Sequence, residues 1–268
     1  MSIIEGRSII LLRCTTVKYG RALIESGSIM FNTPRSWVQY AKDYMLEGRG
    51  DILEGVFAAS KLGNKTDIIE NNKRFDDVES EYISTNRLRY FRRKYSMQLP
   101  CYCLYYIPTE FFTPVEERGE QFLQFTVPGS YFRDFQDNLS IEDDKKLPKE
   151  KQAAVVWITD QDKFKQRILD KLLSLGLEES EIIMRGISYE NLHQEFRMKL
   201  TTISPEELTT KDMRFRNQSE FRIIVDTKKP HIISQLKKPI QIGDISDIAQ
   251  YLEGYRYDGI LIKLKPRT

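Results

Sequence analysis

Apolar residues fall in short blocks along this chain, and their spacing changes from block to block. Ser8 to Cys14 (SIILLRC) is a β-branched apolar run that predicts a buried strand. Thr15 or Thr16 can then N-cap a helix reaching Glu25, with Val17, Ala22, Leu23 and Ile24 turned inward. Gly27 stands where a left-handed C-cap closes such a helix. Ser28 to Thr33 returns as a strand that Pro34 stops. Trp37 to Gly48 predicts a short helix, followed by a flexible segment in which Gly48, Gly50 and Gly55 surround Asp51 and Glu54. Lys61 to Glu81 is polar and aperiodic, a loop with broken helix.

The second half continues in the same manner. Pro100 to Pro108 (PCYCLYYIP) is a proline-bounded strand with Cys101 and Cys103 on one face, and Gln121 to Pro128 is another strand. Asp137 to Lys151 is the most polar stretch and reads as a surface loop, its lysines balanced by Glu142, Asp143, Asp144 and Glu150. Ala153 to Ile158 is a strand, and Asp160 caps a helix through Leu175 that Gly176 ends. Glu181 to Tyr189 and Phe221 to Asp226 read as strands, Glu190 to Met198 as a helical turn or two, Ile245 to Leu252 as a short helix. Gly259 to Lys265 is a last alternating strand. Helices do not alternate regularly with strands, so the expected class is α+β with a split, mainly antiparallel sheet. Proline and glycine are spread evenly and mark no linker, which predicts one domain over residues 1–268.

Composition narrows the chemistry. Two histidines, His193 and His231, exclude a multi-histidine metal cage, and three cysteines without CxxC spacing fit neither a disulfide framework nor a zinc ribbon. The longest early apolar run, Ile9 to Leu12, is too short for a signal sequence or a membrane span, so a cytoplasmic, membrane-free chain is expected. The net charge of +2 gives no global attraction for a polyanion, so local clusters matter more.

Three clusters stand out. Gln218, Glu220 and Arg222 share one face if they lie on a strand, forming a polar row that enters the apolar run Ile223-Ile224-Val225. Such a row is more often the solvated face of an edge strand than a site. Arg13 ends the first strand beside Cys14 and Thr15, where an arginine and a hydroxyl can hold phosphate or an amide, or serve as an ordinary strand end and cap. Phe31, Asn32 and Tyr40 can line a planar ring or simply pack in the core. In the third cluster, Asn86 to Tyr95, five cations interleave with three aromatics. Arg87, Arg89, Tyr90, Arg92 and Arg93 there suit phosphate neutralisation and base stacking. The run equally fits a helix that buries Leu88 and Phe91 and solvates its arginines. Asp51 and Glu54 are a further acidic pair, readable as a solvated loop or, with Glu220, as ligands of a divalent ion in a nuclease.

The order of a strand ending in Arg13-Cys14-Thr15, a helix, a Gly27-Ser28-Ile29-Met30-Phe31-Asn32-Thr33 strand and a late Gln218-Ser219-Glu220 opening a strand resembles the ADP-ribosyltransferase fold. Within that superfamily the chain is most similar to bacterial abortive-infection and phage-defence toxins, through Glu25 to Trp37, Gly50-Asp51-Ile52-Leu53-Glu54-Gly55 and Glu220-Phe221-Arg222. The resemblance implies an NAD-consuming transferase with NAD as its only cofactor and no metal. Glu220 would be the catalytic carboxylate and Gln218 would orient the acceptor. Arg13 would hold phosphate or ribose oxygens, and Thr15 the nicotinamide amide region, with Cys14 where a glycine often stands. It also implies a toxin with an RNA or protein acceptor and an antitoxin partner. A non-catalytic nucleic-acid- or protein-binding domain of the same fold is the alternative. The chemistry suits the residues: breaking the nicotinamide–ribose bond builds positive charge on the sugar, which a neighbouring carboxylate stabilises.

Overall fold

The computed structural model describes residues 10–45, 50–61, 77–85, 87–107, 111–117, 119–125, 139–198, 205–253 and 260–263. The chain begins β1 (Ile10–Thr16), α1 (Val17–Ser26), β2 (Ser28–Ile29), α2 (Pro34–Tyr44), β3 (Val56–Lys61), β4 (Val78–Ile83), β5 (Leu88–Arg93) and β6 (Cys101–Ile107). It continues β7 (Thr113–Glu117), β8 (Glu120–Phe125), α3 (Ile141–Lys146), β9 (Ala153–Ile158), α4 (Gln161–Ser174), β10 (Ile182–Gly186), β11 (Ser188–Glu190) and β12 (Phe196–Arg197). The last elements are β13 (Thr210–Asp212), β14 (Glu220–Val225), α5 (Pro230–Leu236), β15 (Ile240–Gln241), β16 (Ala249–Glu253) and β17 (Ile260–Lys263). Helices and mostly antiparallel strands mix without regular alternation, an α+β arrangement.

These elements divide into two compact units, neither continuous in sequence. The first comprises residues 1–28, 104–168 and 242–268. In it β9 lies between β1 and β16, both antiparallel to it, and β1 pairs on its other side with the end of β6. Every residue of β9 is buried, as its unbroken apolar sequence predicts. α1 ends as expected: Gly27 adopts φ +62° and its N–H returns to Leu23 O. A Cβ there would lie 2.3 Å from Gly243 O, so glycine is required twice over. β7, β8 and β17 form a separate three-stranded antiparallel sheet.

The second unit comprises residues 29–103 and 169–241. Its four-stranded sheet runs β12-β3-β5-β4, and its β14 pairs antiparallel with β10. β11 and β13 form a short parallel pair. α2 starts at Pro34, the residue that stops the preceding strand, with Thr33 and Ser36 forming a reciprocal capping box. Its core includes Leu99, Cys101, Leu208 and Ile224, packed against Trp37, Tyr95 and Ile183.

Several expectations change. Ile245 to Leu252 is not a helix: its end is β16, committed to strand by pairing with β9. Glu190 to Met198 makes turns and the short β12, which pairs with β3. The polar stretch Asp137 to Lys151 holds helix α3, capped by Ser140, and its Asp144 is buried, accepting the Ala153 N–H. The predicted strand at Ser28 to Thr33 is only two residues long, followed by a single bridge from Asn32 to Cys101. The end of the predicted loop Lys61 to Glu81 is strand β4, and most of the rest of it lies outside the described residues, as does Gly48. Among the described residues no helix is long and apolar enough to cross a membrane.

Candidate functional site

The polar row entering β14 is not solvated. All six residues of β14 are buried, and Glu220 is only 4% exposed. Gln218 and Glu220 do come together, by a different route from two residues of one strand. Gln218 ends a 3-10 turn (Met213–Gln218) that Asp212 caps by accepting the Arg214 N–H at 3.1 Å. Ser219 then takes a left-handed conformation, φ +40°, and Glu220 begins the strand. Both side chains meet at one ammonium: Lys211 Nζ donates to Gln218 Oε1 at 2.6 Å and to Glu220 Oε2 at 3.1 Å. The Glu220 N–H in turn donates to the Tyr189 hydroxyl at 2.8 Å.

Arg222, 1% exposed, closes the cluster. Its Nε donates to Glu220 Oε1 at 2.5 Å, and its Nη1 and Nη2 grip both oxygens of Glu54 as a fork, the Nη2–Oε2 bond measuring 2.9 Å. Nη1 also donates to Leu208 O at 2.8 Å, and the guanidinium carbon lies 5.0 Å from the Trp37 ring centre. Lys211 Nζ lies 4.7 Å from the Phe215 ring centre. Burial alone would raise the Glu220 carboxyl, but Arg222 and then Lys211 override it and hold the group well below the usual carboxylate range. Burial alone would lower Lys211, but Glu220 and Glu54 hold it protonated above its ordinary value. Burial and the Glu220 carboxylate keep the Cys103 thiol neutral.

The predicted flexible acidic segment is a buried turn. Asp51 Oδ1 accepts the Leu53 N–H at 2.8 Å, and the Glu54 N–H returns to Asp51 O at 3.2 Å. Gly50 lets this turn sit against α2, since a Cβ there would meet Trp37 O and Ala41 N at 2.7 Å. Gly55 leaves it at φ +67°. Arg92 fastens it from β5, with Nε donating to Glu54 O at 3.0 Å and Nη2 to Ile52 O. Glu54 and Glu220 thus gather around Arg222 and Lys211, with the third carboxylate, Asp51, in the same turn as Glu54. Two of the three carboxylates are neutralised by side-chain cations, and among the described residues no three metal-ligating side chains are grouped to hold an ion.

The remaining predicted residues are distributed as follows. In the first unit Cys14 and Thr15 are buried on β1 opposite Val155 and Ala154, and the partly buried Arg13 lies opposite Val156. In the second, Phe31 is core, its ring 6.0 Å from that of Tyr102; Asn32 is exposed, and Tyr40 stacks on Tyr44 of α2 at 4.7 Å. The arginine-rich run is strand β5, not a helix, so its residues alternate between faces. Tyr90, Arg92 and Arg93 are buried; Arg93 forks onto Glu207 with both bonds at 2.6 Å, and Arg92 also reaches Glu81 at 3.2 Å. Arg87, at the exposed β4–β5 turn, and Arg89, partly exposed, are left facing outward.

Lys211, Trp37 and the ion-pairing role of Arg222 were not anticipated. Arg222 carried a usable signal, because an arginine inside an apolar strand must be paired. Lys211 carried none: Thr-Thr-Lys-Asp reads as an ordinary surface loop. No family model, curated protein or solved structure matches this chain, so the likeness to the ADP-ribosyltransferase fold rests on the residues named above.

Proposed function

We propose that this chain is an NAD-consuming ADP-ribosyltransferase, with Glu220 as its catalytic carboxylate and Gln218 beside it orienting the acceptor. The observation that supports the reading is the convergence of Gln218 and Glu220 on Lys211, with Glu220 held ionised by Arg222 and Lys211. As the glycosidic bond to nicotinamide breaks, positive charge grows on the ribose, and a pre-ionised, fixed carboxylate stabilises that charge without reorganising. For Arg13 and Thr15 on β1 a role toward the dinucleotide is implied by the resemblance alone. The proposed setting is a cytoplasmic defence toxin restrained by an antitoxin, with RNA as the favoured acceptor. Within the arginine-rich run the acceptor surface narrows to Arg87 and Arg89.

The test is incubation of the purified protein with NAD labelled in its ADP-ribose half, together with RNA, DNA or cell lysate in separate reactions. Wild type should release nicotinamide and label one class of acceptor. Glu220→Gln should lower the rate by about a hundredfold or more, with its folded state checked by thermal denaturation. If wild type releases no nicotinamide and labels nothing, the enzyme reading fails.

One observation favours a second reading, a non-catalytic nucleic-acid- or protein-binding domain. Glu220 is buried with both carboxylate oxygens occupied, as a purely structural ion pair would be. On that reading nicotinamide release is nil, and Arg87→Ala with Arg89→Ala weakens RNA or partner binding while Glu220→Gln changes only stability.

A further inference from the structure

In the buried cluster one carboxylate, that of Asp51, has no cation bonded to it among the described residues. Asp51, Glu54 and Glu220 supply three carboxylates, and Lys211 and Arg222 two cations, all at most 6% exposed. The carboxylates of Glu54 and Glu220 are taken by the two cations on both oxygens. Asp51 is different: Oδ1 accepts one backbone N–H, while Oδ2 is buried with no partner among the described residues. Two further charged groups act near Asp51: Arg92 of β5, which is shared with Glu81, itself also held by Lys42, and Asp212 of β13, which is paired with Arg214. An unpaired ionised oxygen in such a site is costly, and a proton removes its charge.

We propose that Asp51 Oδ2 carries an exchangeable proton, and that loss of this proton pulls Lys211 away from Gln218 and Glu220. A metal ion in its place would need several ligands, whereas the described residues offer one oxygen without a partner here. Lys211 makes the link because its charge favours the ionised form of Asp51 while its ammonium bonds both Gln218 and Glu220. Burial first, and the Glu54 carboxylate second, push the Asp51 carboxyl up to about 6, which puts its proton in exchange near neutral pH. The inference holds whether or not Glu220 is catalytic.

The experiment is a pH titration by NMR of the full-length protein labelled with 13C at aspartate carboxyls and glutamate carboxyls, assigned through the backbone of wild type. The Asp51 resonance should titrate with a midpoint near pH 6, and the Glu220 resonance should shift in parallel over the same range. An Asp51 midpoint at or below about 4, the ordinary aspartate value, overturns the proton; a Glu220 resonance that stays still while Asp51 titrates overturns the coupling. Lys211→Met supplies a second arm. It should move the Asp51 midpoint upward, because the cation that lowers it is gone, and an unchanged midpoint also overturns the coupling.

Discussion

Arg222 shows how much one side chain can decide. It joins two segments far apart in sequence, the Asp51–Glu54 turn and the start of β14, through a fork onto Glu54 and a bond to Glu220. Removing one partner of a buried ion pair strands the other charges, which costs more than the net worth of the pair. Arg222→Met should therefore destabilise the protein by roughly 3–5 kcal/mol in urea denaturation, although methionine fills much of the same volume. A loss under about 1 kcal/mol would show that water reaches the cluster and screens its charges. Glu220→Gln is milder, since glutamine can still accept from Arg222, so lost activity in that variant reports on chemistry once folding is verified.

At the scale of elements, glycines at chain reversals separate two physical effects. Gly27 and Gly176 both end helices with positive φ, +62° and +94°. A Cβ at Gly27 would collide with the backbone of Gly243, whereas at Gly176 no described residue lies within 4 Å. Gly176→Ala should cost only the conformational penalty, about 1–2 kcal/mol, while Gly27→Ala adds a steric one and should cost about 2–4 kcal/mol. Thermal melts of the two variants measure the difference, and equal losses would place the whole cost in φ. The same scale explains the failed helix at Ile245 to Leu252. Local spacing allowed a helix, but pairing of β16 with β9 supplied a ladder of backbone bonds that a lone short helix could not match.

For the whole molecule, the buried carboxylates predict the shape of stability against pH. Glu220 is lowered in the folded state, so its contribution is present above the ordinary glutamate range and disappears as acid protonates it. Asp51 is raised from 3.8 to about 6, so the folded state binds its proton more tightly than the unfolded chain does. Its contribution is full below about pH 4 and is lost as pH rises through 6, a fall of up to about 3 kcal/mol. The expected curve rises out of acid, then declines between pH 4 and 6, and Asp51→Asn should flatten that decline. Urea unfolding of both proteins at half-unit steps of pH would reveal it; a wild-type curve that climbs steadily from pH 4 to 7 would refute the assignment.

What the amino-acid order determined by itself was local: the α1 helix with its Gly27 stop, the apolar strand β9, the proline-bounded β6, the β14 run and the α+β class. Each of these depends on periodicity, capping or turn chemistry within about a dozen residues, and so is legible without a fold. The pairing of Gln218 with Glu220 was also foreseen, though it comes from a left-handed Ser219 between a 3-10 turn and a strand. Tertiary structure alone decided the rest. It buried Asp51 and Glu54 in what reads as a loose glycine-rich loop, and it turned Arg92 and Arg93 from a basic surface into interior fasteners. It also brought in Lys211, whose neighbours in sequence give no hint of a site. A charge stays inside a protein only where a partner offsets the cost of leaving water, and partners such as Glu54 for Arg222 or Glu207 for Arg93 lie too far off in sequence to show in a local pattern.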